Sequence, residues 1–140
     1  VTLGWTIRAA SLDDVSAVLA LWRDADAEVT ETDDAPAVEA LIACDPEALL
    51  VATDGGRLVG SIVAGWDGWR GQLSRLAVHP DARRRGLGTA LVRAAEDRLR
   101  GLGARRIAAI VVDDHETALA FWAAVGYDLA PHVRFTKTLQ

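Results

Sequence analysis

The sequence predicts a single domain of mixed α+β class, a central, mostly antiparallel sheet flanked by about four helices. Three observations predict it. Apolar runs are joined by the tight turns Asp54-Gly55-Gly56 and Asp67-Gly68, which makes an antiparallel meander. After Pro80 the pattern changes to a glycine-bearing loop, an amphipathic helix and a buried run, a strand–helix–strand crossover. The chain has 140 residues, 51% hydrophobic and 25% charged, enough for one real core and too short for two ordinary domains.

Trp5 to Ala9 reads as a strand. Ser11 follows as an N-cap, with Asp13 and Asp14 in the first turn of a helix whose apolar positions Leu12, Val15, Val18, Leu19 and Trp22 recur at helical spacing and form a core face. An acidic loop runs to Pro36, which opens a short helix from Ala37 to Ala43. The meander strands are Glu47 to Thr53, Leu58 to Trp66 and Trp69 to Val78. Leu87, Leu91, Ala94, Ala95, Leu99 and Leu102 make the apolar stripe of the next helix, which Gly101 and Gly103 end before the buried strand Ile107 to Val112. A last helix, Glu116 to Val125, ends at Gly126, and Tyr127 to Thr138 reads as final strand material with an irregularity at Pro131.

Composition excludes several functions. The longest apolar runs fall far short of the roughly 20 residues that cross a bilayer. The N-terminus alternates where a secretory signal would have a basic stretch and an apolar core, so no membrane partner and a cytoplasmic location are expected. Cys44 is the single cysteine and there are three scattered His, too few ligands for a zinc site; no metal is expected, and Cys44 is expected as a small core residue. A net charge of −5 argues against a nucleic-acid partner.

The charge is unevenly placed. Ten acidic residues and no Lys or Arg lie between Asp24 and Gly56, so the remainder of the −5 chain carries +5, much of it around Arg83-Arg84-Arg85. Two solvated helix faces and a basic loop would account for this. So would an enzyme that joins an anionic cofactor to a cationic amine, with Glu31, Asp33 and Asp34 attracting the amine.

The segment from Leu76 to Leu91 carries most of the chemistry. A strand runs into a basic loop with two glycines that opens a helix, and such a helix start offers unpaired amides and partial positive charge to an anion. A Gly-x-Gly at a helix start is by itself a weak signal that often serves packing. It lacks the Lys-Ser/Thr pair of a P-loop and does not follow the first strand of a doubly wound fold, so ATP and NAD fit poorly.

Arg83-Arg84-Arg85-Gly86-Leu87-Gly88 resembles the coenzyme A pyrophosphate loop of the GNAT N-acetyltransferase superfamily, Arg/Gln-x-x-Gly-x-Gly/Ala. Leu76-Ala77-Val78-His79-Pro80 is similar to the strand end that precedes it, and Ala118 to Tyr127 to the family's second signature, an Ala-rich helix running into Gly-Phe/Tyr. Gly65-Trp66-Asp67-Gly68-Trp69-Arg70-Gly71 further resembles a bacterial subgroup. The resemblance spans nearly the whole chain. It implies the GNAT acyl-CoA acyltransferase fold, with a sheet split to hold CoA, and acetyl-CoA as cosubstrate. It also implies cofactor contacts from Leu76, Ala77, Val78, Arg83, Arg84, Arg85, Gly86, Leu87, Gly88, Thr89, His115, Ala118 and Trp122.

Three departures bear on mechanism. Trp122 stands where many members carry a Tyr that protonates the leaving thiolate; an indole N–H is no practical acid, and Trp122 also reads as a packing aromatic. His115 replaces a frequent Asn, and Arg84 a frequent Gly, which implies ordinary backbone angles or mild strain there. The strand Gln72-Leu73-Ser74-Arg75-Leu76 has no carboxylate to act as base, so no catalytic residue is assigned. A water held by Ser74 or Gln72, or an acid such as Asp113, Asp114 or one from the 24–56 segment, remains open for that role.

The expected reaction is direct attack of an amine, from a small molecule or a peptide N-terminus, on acetyl-CoA lying between the strands ending near Val78 and Val112. The alternatives are a non-catalytic acyl-CoA-binding module and a domain that docks a basic protein; a homodimer is compatible with each.

Overall fold

The computed structural model describes residues 4–25, 30–111 and 116–139. They fall into two compact units, Val1–Ile110 and Val111–Gln140. The first unit holds strands β1 (Thr6–Ala9), β2 (Leu49–Asp54), β3 (Arg57–Trp66), β4 (Gly71–Val78) and β5 (Ile107–Ala109), with helices α1 (Val15–Asp24), α2 (Ala35–Cys44) and α3 (Leu87–Leu102). The second holds α4 (Glu116–Ala124). The strands lie in the order β1-β2-β3-β4-β5, antiparallel through β4 and parallel between β4 and β5. This is the α+β sheet that the tight turns and the single crossover predict.

The first two helices start at local signals. Ser11 and Asp14 form a capping box over the 3-10 turn Leu12–Asp14, and Asp14 also accepts two hydrogen bonds from Arg8. Asp34 caps α2 by accepting the Ala37 amide at 2.9 Å, with Pro36 in the first turn. On one face of the sheet Val15, Val18, Leu21, Trp22, Val38 and Ile42 from α1 and α2 cluster with Leu49, Val51 and Ala77. α3 packs against β3 and β4 with Leu87, Leu91, Val92, Ala95 and Leu99 almost fully buried. Each such leucine or valine contributes roughly 1.5–3 kcal/mol by leaving water. Gly71 permits this close approach, since a Cβ there would sit 2.6 Å from Leu99 Cδ1. Arg98 also turns inward from α3, donating to the Ala64 carbonyl at 2.6 Å and to Asp45 at 2.5 Å.

Several expectations are corrected. Cys44 is exposed, because it is the last residue of α2 and falls off its buried Val38–Ile42 face. Leu12 and Leu102 are exposed too, one in a 3-10 turn whose period differs from 3.6, the other in the last turn of α3 beyond the sheet. β5 is shorter and less buried than its composition suggests, with β4 as its sole neighbour among the described strands. No strand forms among residues 127–139, where Leu129, Val133 and Phe135 are exposed. Apolar alternation does not supply the partner edge that a strand requires, and Pro131 has no amide to donate.

Candidate functional site

β4 changes character halfway along. Ser61 pairs with Ala77 and Val63 with Ser74, so Arg75 and Leu76 together face Ile62, a β-bulge. Arg75 sits there at φ 52, a left-handed conformation uncommon for a residue with a side chain. The pairing with β5 covers only Gly71 to Leu73, and its last bond is Ile110 N–H to the Leu73 carbonyl at 2.9 Å. From Ser74 to Val78, β4 has no described strand partner on that side.

The bulge is pinned from the opposite side. The hydroxyl of Ser61, fully buried, accepts from Trp22 Nε1 and donates to the Arg75 carbonyl, both at 2.9 Å. The Arg75 guanidinium lies 5.1 Å from the Trp22 ring centroid and pairs with Asp33, whose side chain is 9% exposed. Trp22, Ser61 and Arg75 are site residues that sequence reasoning missed. The available signal was a lone hydroxyl in the apolar run Val59–Ala64, which needs a partner wherever that run is buried.

β4 leads through His79 and the 3-10 turn Pro80–Ala82 into the loop. Arg83 is extended and folds back, donating through Nε to the Val78 carbonyl at 3.2 Å. Arg84 takes φ 63, so of the two conformations open to it the strained one is adopted. Arg85 turns to Asp54 at 3.1 Å and stacks 5.3 Å from the Trp5 ring centroid. The three adjacent arginines therefore diverge, and Arg84 alone is left without an ion pair or hydrogen bond to a described residue.

Gly86, at φ 80, is the N-cap of α3, and no side chain caps the helix. The first i to i−4 bond is Ala90 N–H to the Gly86 carbonyl at 3.0 Å, so the amides of Leu87, Gly88 and Thr89 precede it. A Cβ built on Gly86 meets nothing within 4 Å. Leu87 contributes its backbone only, because its side chain is 1% exposed in the core; Thr89 is exposed. An uncapped helix start with free amides, open space at its glycine and a guanidinium beside it is suited to an anion. Leu76, Ala77 and Val78 lie just upstream, on the stretch of β4 with no described strand partner on its β5 side.

The other expected residues are placed as follows. Asp33 is engaged by Arg75 and Asp34 by the α2 cap, while Glu31 is exposed. In the second unit Ala118 and Trp122 lie on α4, and Trp122 packs edge-on against Phe121 at 5.4 Å and Tyr127 at 5.2 Å between centroids. Val112, Asp113, Asp114 and His115 lie outside the described residues. Among the described residues no group of His, Cys, Asp or Glu could hold a metal ion, and no helix is long and apolar enough to cross a membrane.

Residues 17–127 match the model of the acetyltransferase (GNAT) family. An acetyltransferase of Pectobacterium atrosepticum is 33% identical over 133 residues, 95% of this chain and 94% of the relative. Crystal structures share the fold. Ard1 from Thermoplasma volcanium aligns with a TM-score of 0.81 at 25% identity, covering 91% of this chain and 85% of that one. The PaiA N-acetyltransferase of Thermoplasma acidophilum, in complex with coenzyme A, aligns at 0.80 with 15% identity and 94% of both chains.

Proposed function

Because the chain belongs to the acetyltransferase (GNAT) family, we propose that it transfers the acetyl group of acetyl-CoA to an amine by direct attack. The observation that carries this reading is the junction of β4 and α3, where a strand with no described strand partner on its β5 side beyond Leu73 runs into an uncapped helix start with open space at Gly86. Leu87, Gly88 and Thr89 would direct their amides, and Arg84 its guanidinium, at the pyrophosphate. The β5-facing side of the backbone from Ser74 to Val78 would hydrogen-bond the pantetheine arm. Bound there, acetyl-CoA supplies an activated thioester.

The residues around β4 bear on which amine reacts. β4 has no carboxylate, Gln72 and Ser74 are its neutral polar side chains, and Asp33 is held by Arg75. A lysine-like amine near pKa 10.4 must lose a proton at a cost of roughly 4–5 kcal/mol at pH 7, whereas an α-amino group near 7.8 costs about 1. We therefore favour an α-amino group or another amine of low pKa, on a small molecule or a peptide. Trp122 offers no acid for the departing thiolate, but a thiol of pKa about 8.5 leaves tolerably without one.

Calorimetric titration with CoA, followed by a thiol-release screen of amines and N-terminal peptides, tests the proposal. Binding in the micromolar range with release by at least one α-amine is expected. Binding without release by any amine would return the reading to a regulatory acyl-CoA module. No binding at millimolar CoA would overturn it.

A further inference from the structure

The far end of α3 carries a second cluster that acetyl transfer does not use. A cleft of about 530 Å³ opens between the β3–β4 turn and the connection from α3 to β5, lined by Trp66, Trp69, Arg70, Leu102, Arg105 and Arg106 together with two glycines. Its volume suits one small ligand. α3 is 16 residues long, which separates this end from the Gly86 loop by roughly 24 Å at 1.5 Å per residue.

The cleft is built by backbone constraints. Asp67 accepts the amides of Trp69 at 2.8 Å and Arg70 at 2.7 Å, which locks the turn and consumes its carboxylate oxygen. Gly71 N–H donates to the Arg106 carbonyl at 3.1 Å and ties the second wall to the first. Trp69 is 68% exposed, an unusual fraction for an indole, and the Arg70 guanidinium stacks on it at 3.8 Å from the ring centroid. Arg105 and Arg106 are exposed and make no ion pair with a described residue. Among the described residues no carboxylate lines the cleft.

We propose that this cleft binds a nucleoside polyphosphate, the base against Trp69 and the phosphates on the guanidinium groups of Arg105 and Arg106. Three guanidinium groups without an acid in the lining select an anion, and their planar forks match phosphate oxygens. The indoles select a flat ring: a base stacks on them, whereas an aspartate or glutamate side chain gains nothing there. A nucleic-acid strand meets the field of a chain with net charge −5, while a single nucleotide meets only the local cluster. The site is independent of the acetyl donor.

Adenosine diphosphate titrated into the full chain tests it, with binding read by calorimetry and by the shift of the Trp69 indole N–H resonance. Trp69→Ala and the pair Arg105→Glu/Arg106→Glu should each weaken binding about tenfold or more, and Gly86→Val should leave it within about twofold of the parent. Inorganic pyrophosphate should bind at least about tenfold more weakly than the nucleotide. The proposal is overturned by the absence of binding at millimolar nucleotide, or by binding that Gly86→Val abolishes and the cleft variants spare. Pyrophosphate or a hexaglutamate peptide binding as tightly as the nucleotide would overturn it as well.

Discussion

Ser61→Ala removes one oxygen that serves a buried indole and a part-buried carbonyl. The Trp22 indole N–H and the Arg75 carbonyl both use the Ser61 hydroxyl at 2.9 Å, and Ser61 has no exposed surface through which water could replace it. The buried indole N–H without its acceptor costs about 1–3 kcal/mol, and the lost hydrogen bond to the part-buried Arg75 carbonyl about 1. The expected loss is therefore roughly 2–4 kcal/mol, or about 5–12 °C in Tm for a domain of this size. The same bond holds Arg75 at its strained φ of 52, so the bulge should relax in the variant and CoA affinity should fall along with stability.

Thermal unfolding of Ser61→Ala, Trp22→Phe and the double variant measures the network directly. The double variant should lose about 1 kcal/mol less than the sum of the two single losses, because the hydrogen bond can be removed only once. Calorimetry on the folded single variants below their Tm then reads CoA affinity separately. A fall in Tm under about 2 °C with strictly additive losses would show that Ser61 fills space without bonding, and the account of the pinned bulge would fail.

Four further outcomes are expected. Gly86→Ala should fold with roughly 1–2 kcal/mol of left-handed strain and bind CoA weakly, and Gly86→Val should lose CoA by calorimetry while circular dichroism stays native; parent-like affinity in the Val variant would move the pyrophosphate elsewhere. The Asp14 carboxyl is held down to about 2 by its hydrogen bonds with Arg8, from an ordinary 3.8. Its stabilisation is complete above 3.8 and lost as pH falls toward 2, about 1 kcal/mol after allowance for the exposed Arg8. Asp14→Asn should therefore lower urea stability at pH 7 and flatten its decline in that acid window. Arg98→Ala should cost about 2–4 kcal/mol in urea unfolding, since it strips a part-buried Asp45 of its partner. Thiol-release assays at pH 7 should favour peptides with a free α-amino group over N-terminally blocked lysine peptides by about tenfold or more.

The meander strands and the crossover were legible in the sequence because each has a local signature. Asp54-Gly55-Gly56 and Asp67-Gly68 mark turns by their own backbone preferences, and Leu87, Leu91, Ala95 and Leu99 repeat at helical spacing whatever they pack against. What was not legible depends on partners distant in the chain. The Ser61–Trp22 bond joins residues 39 apart and the Arg75–Asp33 pair residues 42 apart. Arg84 and Arg85 look equivalent in sequence, yet one has no ion pair with a described residue and the other turns to Asp54. The missing final strand belongs with these, since a strand is a property of two edges.

The acidic segment shows what this means for function. Of its ten carboxylates the structure describes eight: Asp24 lies 3.7 Å from His79, Asp33 pairs with Arg75, Asp34 caps α2, Asp45 pairs with Arg98 and Asp54 with Arg85. Glu31, Glu39 and Glu47 keep exposed side chains without a described ion partner. Three of these acids, Asp33, Asp45 and Asp54, are thus paired with arginines from the rest of the chain. Folding converts a long-range charge separation into local pairs of small net field, and at physiological salt the remaining exposed glutamates act over only about 8 Å. Charge reversal at Glu31 should then change acceptor KM by no more than about twofold, while Asp33→Asn should lower kcat and stability together through Arg75. Steady-state kinetics of the two variants distinguishes these roles. A large rise in KM for the Glu31 variant, relieved by added salt in the parent comparison, would restore electrostatic attraction of the acceptor and defeat the claim that the acids of this segment serve mainly to hold the fold.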